Sequence, residues 1–138
     1  MTDPREQVTA FIEAWGEGFD PFASAVATCF ADDTVWENVG YSTTVGPAQA
    51  IEHLRESATR LGWVRVRVEM LAVAVDGTRV LTERMDHHEA ADGTVLFSVR
   101  CASVFDVEDE RIRAIREYFD TAPLVAARAA GGAVAGAG

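Results

Sequence analysis

The chain has 138 residues, 49% of them apolar, which suits one globular domain with its own hydrophobic core. Its 22 acidic residues against 12 basic ones give a formal net charge of −10, so phosphate backbones and anionic lipid surfaces are not expected partners. All 12 basic residues are Arg, which excludes Schiff-base chemistry and lysine-dependent phosphate motifs.

No apolar run reaches the roughly 18 to 20 residues of a membrane span, and Met1 to Glu6 lack the basic and apolar regions of a signal peptide. A cytoplasmic location is the expectation. Cys29 and Cys101 lie far apart without a metal-ligand spacing and read as reduced, buried thiols.

Asp3-Pro4-Arg5-Glu6 combines an N-cap, a proline at the first helical position and a capping-box Glu. Val8, Phe11, Ile12 and Trp15 follow at helical spacing, so a first helix is expected from about Pro4 to Glu17. Asp20-Pro21 opens a shorter helix through Phe22, Val26, Cys29 and Phe30, closed by Asp32 and Asp33. Thr34 to Asn38 reads as a short strand, Val39 to Val45 as a loop, and Gly46-Pro47 as the start of a third helix that Gly62 stops. Four strands follow, Trp63 to Val75, Thr78 to Ala90, Thr94 to Val107 and Arg111 to Phe119, joined by turn-forming pairs such as Asp76-Gly77 and Asp92-Gly93. Helices followed by a strand meander predict an α+β domain over residues 1–125, a curved, mixed or antiparallel sheet partly covered by the amino-terminal helices and enclosing a pocket. Residues 126–138, almost entirely Ala and Gly, read as a flexible tail.

Alternation along Leu81 to His88 puts Thr82, Arg84, Asp86 and His88 on one face of a strand. An exposed ion pair of small consequence is the commoner fate of such an Arg and Asp. On the last strand Ile112, Ala114, Arg116, Tyr118 and Asp120 form one set, and Arg113, Ile115, Glu117 and Phe119 the other. Asp120 stands at the strand's end, where a capping role is common. Should Asp120 and Asp86 converge on Arg84, the forked guanidinium holds both carboxylates and leaves each an oxygen free for acid-base chemistry. Trp36 and Asn38 share a face of the early strand, and Asn38 can both donate to and accept from a water. His87 and His88 point to opposite faces and His53 lies far away in sequence, so no metal site is expected.

Three stretches together resemble the limonene-1,2-epoxide hydrolases, a branch of the nuclear-transport-factor-like, cystatin-like α+β cone. They are Trp36-Glu37-Asn38, Leu81-Thr82-Glu83-Arg84-Met85-Asp86, and Phe105 to Ile112 leading to Arg116-Glu117-Tyr118-Phe119-Asp120. The resemblance implies one-step, cofactor-independent and metal-free hydrolysis of an epoxide in a homodimer. It assigns Asp120 as the base that deprotonates water, Asp86 as the acid that protonates the oxirane oxygen, Arg84 as their bridge and Asn38 as a holder of the water. An acid at Asp86 would need burial to overcome the neighbouring Arg84. Where the family usually has a Tyr two positions before the Asn, this chain has Trp36, whose indole donates but cannot accept; Tyr41, in the following loop, is a candidate source of the missing hydroxyl.

Met70, Leu71, Leu81, Phe97, Val99 and Tyr118 are the candidate walls for a small hydrophobic epoxide. The leading expectation is hydrolysis of that epoxide to a vicinal diol. Two alternatives keep the fold: an isomerase or cyclase of a polyketide or steroid-like molecule, and a non-catalytic, dimeric ligand-binding module in which Arg84 and its carboxylates are structural.

Overall fold

The computed structural model describes the backbone of residues 3–137 and the side chains of residues 3–130. Asp3 caps the first helix as its sequence predicts, accepting the Arg5 N–H at 3.0 Å, with Pro4 in the first turn. Helix α1 spans Pro4–Trp15 and buries Val8, Phe11, Ile12 and Trp15 along one stripe. Helix α2, Phe19–Cys29, adds Phe22 and Val26 to the same core.

The remaining elements are β1 (Phe30–Asn38), β2 (Ser42–Val45), α3 (Gly46–Leu61), β3 (Arg65–Asp76), β4 (Arg79–Glu89), β5 (Val95–Glu108), β6 (Arg111–Phe119) and α4 (Ala122–Ala137). They build one six-stranded sheet in the order β2-β1-β6-β5-β4-β3. The β3 to β6 meander is antiparallel as expected, whereas β1 joins β6 in parallel and makes the sheet mixed. α1 and α2 cover one face, where Phe11, Trp15, Phe22, Phe30, Trp36 and Phe105 form an aromatic cluster. Trp15 stacks against both Phe22, with centroids 4.9 Å apart, and Trp36, at 6.0 Å, and those two rings are 6.3 Å from each other.

Three local expectations change. Asp32 and Asp33 do not close a helix but lie within β1, which starts at Phe30. Part of the expected loop Val39 to Val45 pairs with β1 as an edge strand, Asn38 opposite Ser42 and Val35 opposite Val45. Residues 126–130, expected to begin a flexible tail, are helical within α4, because Ala is the strongest helix former and Arg128 donates to Glu56 of α3 at 3.2 Å. The side chains of 131–138, the rest of that expected tail, lie outside the described residues. Cys29 is half-buried and Cys101 buried, and both are free thiols. No helix among the described residues is long and apolar enough to cross a membrane.

Gly46 sets the entry of α3 onto β1. Its φ is +81°, and a Cβ there would stand 2.6 Å from the Asp32 carbonyl oxygen. Gly46→Ala is expected to destabilise the fold by about 1–3 kcal/mol and lower Tm by roughly 5–10 °C. Gly40→Ala, at φ +77° with no atom within 4 Å, is the control and should lose less; equal losses would show that the Asp32 contact is not the cause.

Candidate active site

β4 presents Thr82, Arg84 and Asp86 to the covered face of the sheet, as alternation requires, and all three are buried. Arg84 is 0% exposed. Each of its five N–H groups finds an acceptor. Nε donates to Asp86 Oδ1 at 3.0 Å and Nη2 to Asp86 Oδ2 at 2.8 Å, a forked pair. Nη2 also donates to Glu117 Oε1 at 3.3 Å. Nη1 donates to Thr82 Oγ1 at 3.2 Å and Ser103 Oγ at 2.6 Å. The guanidinium carbon lies 5.1 Å from the Trp15 ring centroid, adding a cation–π contact.

The second carboxylate is therefore Glu117, not Asp120. Asp120 is exposed beyond the end of β6 and accepts the Ala122 N–H at 3.0 Å, capping α4. Period-two alternation explains the difference. Glu117 shares its face with Ile115, which is fully buried, whereas Asp120 belongs to the set that includes the exposed Tyr118. The apolar company of Ile115 and Phe119 is the sequence signal that marks Glu117 as the inward carboxylate.

Strand register turns these residues into a polar row across five strands. Thr82 pairs with Ser103, Ser103 with Glu117, Glu117 with Asn38, and Asn38 with Ser42. Asn38 Nδ2 donates to Ser42 Oγ at 3.1 Å, and that oxygen lies 3.4 Å from His53 Nε2 on α3. With its amide nitrogen engaged, Asn38 keeps its carbonyl oxygen available to a water. Trp36, one pair along, has a buried indole N–H without a partner in hydrogen-bond geometry, although it lies close enough to Glu117 to favour its charged form.

The row borders a cavity of about 110 Å³. Asp86, Cys101, Glu117 and Asn38 supply its polar floor, and Trp15, Phe22, Trp63, Val66, Val99 and Phe119 much of its apolar wall. Of the six expected wall residues only Val99 lines this cavity. Met70 borders a separate depression against α1, and Phe97 stands behind His88, stacked on its ring at 4.2 Å. Leu71, Leu81 and Tyr118 are exposed, at 42%, 39% and 48%. Leu81 and Tyr118 alternate with the inward residues and so point to the opposite face of the sheet; Leu71 follows the register shift that begins at Met70. Tyr41 lines the cavity near Phe119, with its ring 5.8 Å from the Arg128 guanidinium; its backbone N–H donates to the Asn38 backbone carbonyl at 2.9 Å, but its hydroxyl makes no hydrogen bond to the side chain of Asn38 or Glu117. Of the cavity residues not anticipated, His53, Ser57 and Trp63 come from α3 and the turn that follows it, whose approach depends on helix packing that no strand pattern encodes, and His88 comes from the far end of β4.

Burial raises the Glu117 pKa, and Arg84 only partly offsets it. The carboxyl that burial pushes up is thus the one on β6. Burial acts against the charge on Arg84, but Glu117 and Asp86 together outweigh it and hold the guanidinium protonated. Burial, reinforced by Glu117, keeps Cys101 a thiol; its Sγ lies 3.9 Å from Glu117 Oε2. Asp86, Cys101 and Glu117 offer ligand atoms within 4.8 Å of one another, but Arg84 already holds both carboxylates.

The family described as the limonene-1,2-epoxide hydrolase catalytic domain matches residues 2–129. This chain belongs to that family. A curated relative, epoxide hydrolase EphG of Mycobacterium tuberculosis (strain H37Rv), is 38% identical over 114 residues, 82% of this chain and 70% of the relative. The solved structure of an M. tuberculosis LEH-like epoxide hydrolase superposes with a TM-score of 0.68 at 30% identity, covering 93% of this chain and 90% of that one. A protein with a ketosteroid isomerase-like fold from Catenulispora acidiphila superposes with a TM-score of 0.69 at 20% identity, over 90% and 92% of the two chains. That last likeness is one of fold alone.

A carboxyl with a raised folded-state pKa binds more protons in the folded than in the unfolded chain. Glu117 therefore contributes most to stability below its ordinary value of 4.5, and that contribution is lost as pH rises through its raised folded-state pKa. Glu117→Gln removes this dependence. Urea unfolding should show the variant gaining stability relative to the parent between pH 4.5 and pH 7; a pH-independent difference would mean that burial does not raise this group.

Proposed function

We propose that this protein is a cofactor-independent epoxide hydrolase that opens a small, largely apolar epoxide to a vicinal diol. The observation that carries this reading is the pair of carboxylates, Asp86 and Glu117, held on one buried guanidinium at the floor of an apolar cavity. Two carboxylates and one guanidinium sum to one negative charge, and a single proton on either carboxyl makes the buried set neutral.

In the reaction Asp86 supplies the proton, and Glu117 is the base. Glu117 is the register partner of Asn38, so a water held by the Asn38 carbonyl lies beside it, and Oε2 has only the weak Cys101 thiol as a donor. Its raised pKa brings its basicity toward neutrality, the direction a base for water requires. The water oxygen attacks an oxirane carbon as its proton passes to Glu117. The carbon–oxygen bond of the ring breaks, and the departing oxygen takes the proton of Asp86. The set ends with its one proton on the other carboxyl and passes it back before the next turnover. Arg84, bonded to both groups, fixes their separation and stabilises whichever is charged.

Glu117 thus takes the role expected of Asp120, and Trp36 borders it as a donor that cannot orient water as an acceptor. The opening of Asp86 and Glu117 onto the cavity favours catalysis over a closed structural network. The same reading includes a homodimer, for which the exposed outer face of the sheet, with Leu81 and Tyr118, offers apolar surface to a second copy.

Turnover of a terminal epoxide in ¹⁸O-labelled water is expected to place one label in the diol. Asp86→Asn and Glu117→Gln should each lower kcat by about 10²–10⁴-fold, the usual range for a general acid or base. Asp120→Asn should remain within about threefold. Unlabelled, rearranged product would favour isomerisation, and loss of activity in Asp120→Asn with retention in Glu117→Gln would reverse the assignment of the base.

A further inference from the structure

Among the described residues, the buried side-chain polar atoms without a hydrogen-bond partner are Trp15 Nε1, Trp36 Nε1 and His88 Nδ1, and all three residues line the cavity. Such atoms are rare in folded proteins, where burial without a partner is unfavourable. The two indoles surround the Arg84 and Glu117 cluster already described. His88 stands apart from it.

His88 follows Asp86 by two residues on β4, which places both on one face with a separation of about 6.8 Å along the strand. Its ring stacks on Phe97 at 4.2 Å and 14° and meets the edge of Trp63 at 5.8 Å and 78°, so its orientation is fixed by aromatic packing on two sides. Nδ1 lies near the Asp86 main chain but outside hydrogen-bond geometry, and no described residue bonds to Nε2. Burial pushes the imidazole down to about 4 despite the pull of Asp86, so near neutral pH it carries one N–H and one lone pair. Ser57, a polar cavity residue on α3, is already bonded to Trp63 Nε1 at 3.1 Å. A hydrocarbon guest would leave this imidazole unpaired in an otherwise apolar wall of Trp63, Val66 and Val99.

We propose that His88 is a specificity-determining residue that hydrogen-bonds a hydroxyl group of the substrate, and that the substrate is an epoxide carrying that hydroxyl about 6–7 Å from the oxirane oxygen, across a short apolar span. A hydroxyl both donates and accepts, so it satisfies either nitrogen of a neutral imidazole. Phe97 is then the backing of the subsite and not its surface. The proposal rests on the hydrolase reading for the oxirane, but not for the hydroxyl.

The test uses 5,6-epoxyhexan-1-ol and 1,2-epoxyheptane, a pair in which a methyl replaces the hydroxyl. The parent protein should prefer the alcohol in kcat/KM. His88→Leu should reduce that preference at least tenfold, through KM for the alcohol; His88→Gln should keep most of it. The same preference in the parent and in both variants would overturn the proposal. A second measurement needs neither variant nor turnover: hexane-1,2,6-triol should move the ¹⁵N resonances of the His88 ring, and heptane-1,2-diol should not. Equal shifts, or none with the triol, would also overturn it. If neither epoxide is hydrolysed but the triol alone moves His88, the hydrolase reading fails and the hydroxyl subsite stands. Hydrolysis of both epoxides without discrimination would overturn the subsite and leave the hydrolase reading in place.

Discussion

A guanidinium shut away from water has five N–H groups to satisfy and one charge to balance, and the inner face of this sheet is built around meeting both demands for Arg84. Two carboxylates and two hydroxyls converge on it from β4, β5 and β6. Because the acceptors come from three strands, the cluster depends on the register of all three, and a one-residue slip in any of them would send its contribution to the outer face. The energetic demand is high, since desolvated charge must be matched almost completely before burial becomes tolerable. What results is a pair of carboxyl groups fixed in relation to each other by a rigid fork.

Charge balance then leads to chemistry. The guanidinium is held protonated by Glu117 and Asp86, while burial and the neighbouring Asp86 raise the pKa of Glu117. Aromatic packing supplies the dry surroundings: Trp15 lies over Arg84 and stacks with both Phe22 and Trp36, which ties helices α1 and α2 to the site as well as to the core. The same rings that stabilise the fold therefore shield the two carboxyl groups from bulk solvent. Asn38, anchored through Ser42 to the α3 side of the cavity, supplies a polar contact at the other end of the row.

Much of this is legible in the chain. The cap at Asp3, the stripe of Val8, Phe11, Ile12 and Trp15, and the alternation that puts Arg84 beside Asp86 are local properties, and the structure has them. The second carboxylate is harder to place, because Asp120 suits the end of a Tyr-Phe-Asp stretch and only the sidedness of β6 shows that Glu117 points inward. Parallel pairing of β1 with β6 joins segments about 80 residues apart, and no periodicity announces it. The cavity walls are the least legible part. Five of six anticipated residues lie elsewhere because which face a strand buries depends on where the helices dock, while His53 and Trp63 reach the cavity through the placement of α3 and the turn that follows it. The alanine-rich end illustrates the reverse problem: composition suits a tail, and an ion pair of Arg128 with Glu56 joins the start of that segment to α3.

The most direct measurement of the central claim is a side-chain carboxyl ¹³C NMR titration of the free protein, with Glu117 and Asp86 assigned. The account predicts that Glu117 titrates above its ordinary 4.5 and that replacing Asp86 by Asn shifts the Glu117 curve. A Glu117 carboxyl that titrates independently at its ordinary value, indifferent to Asp86, would contradict it.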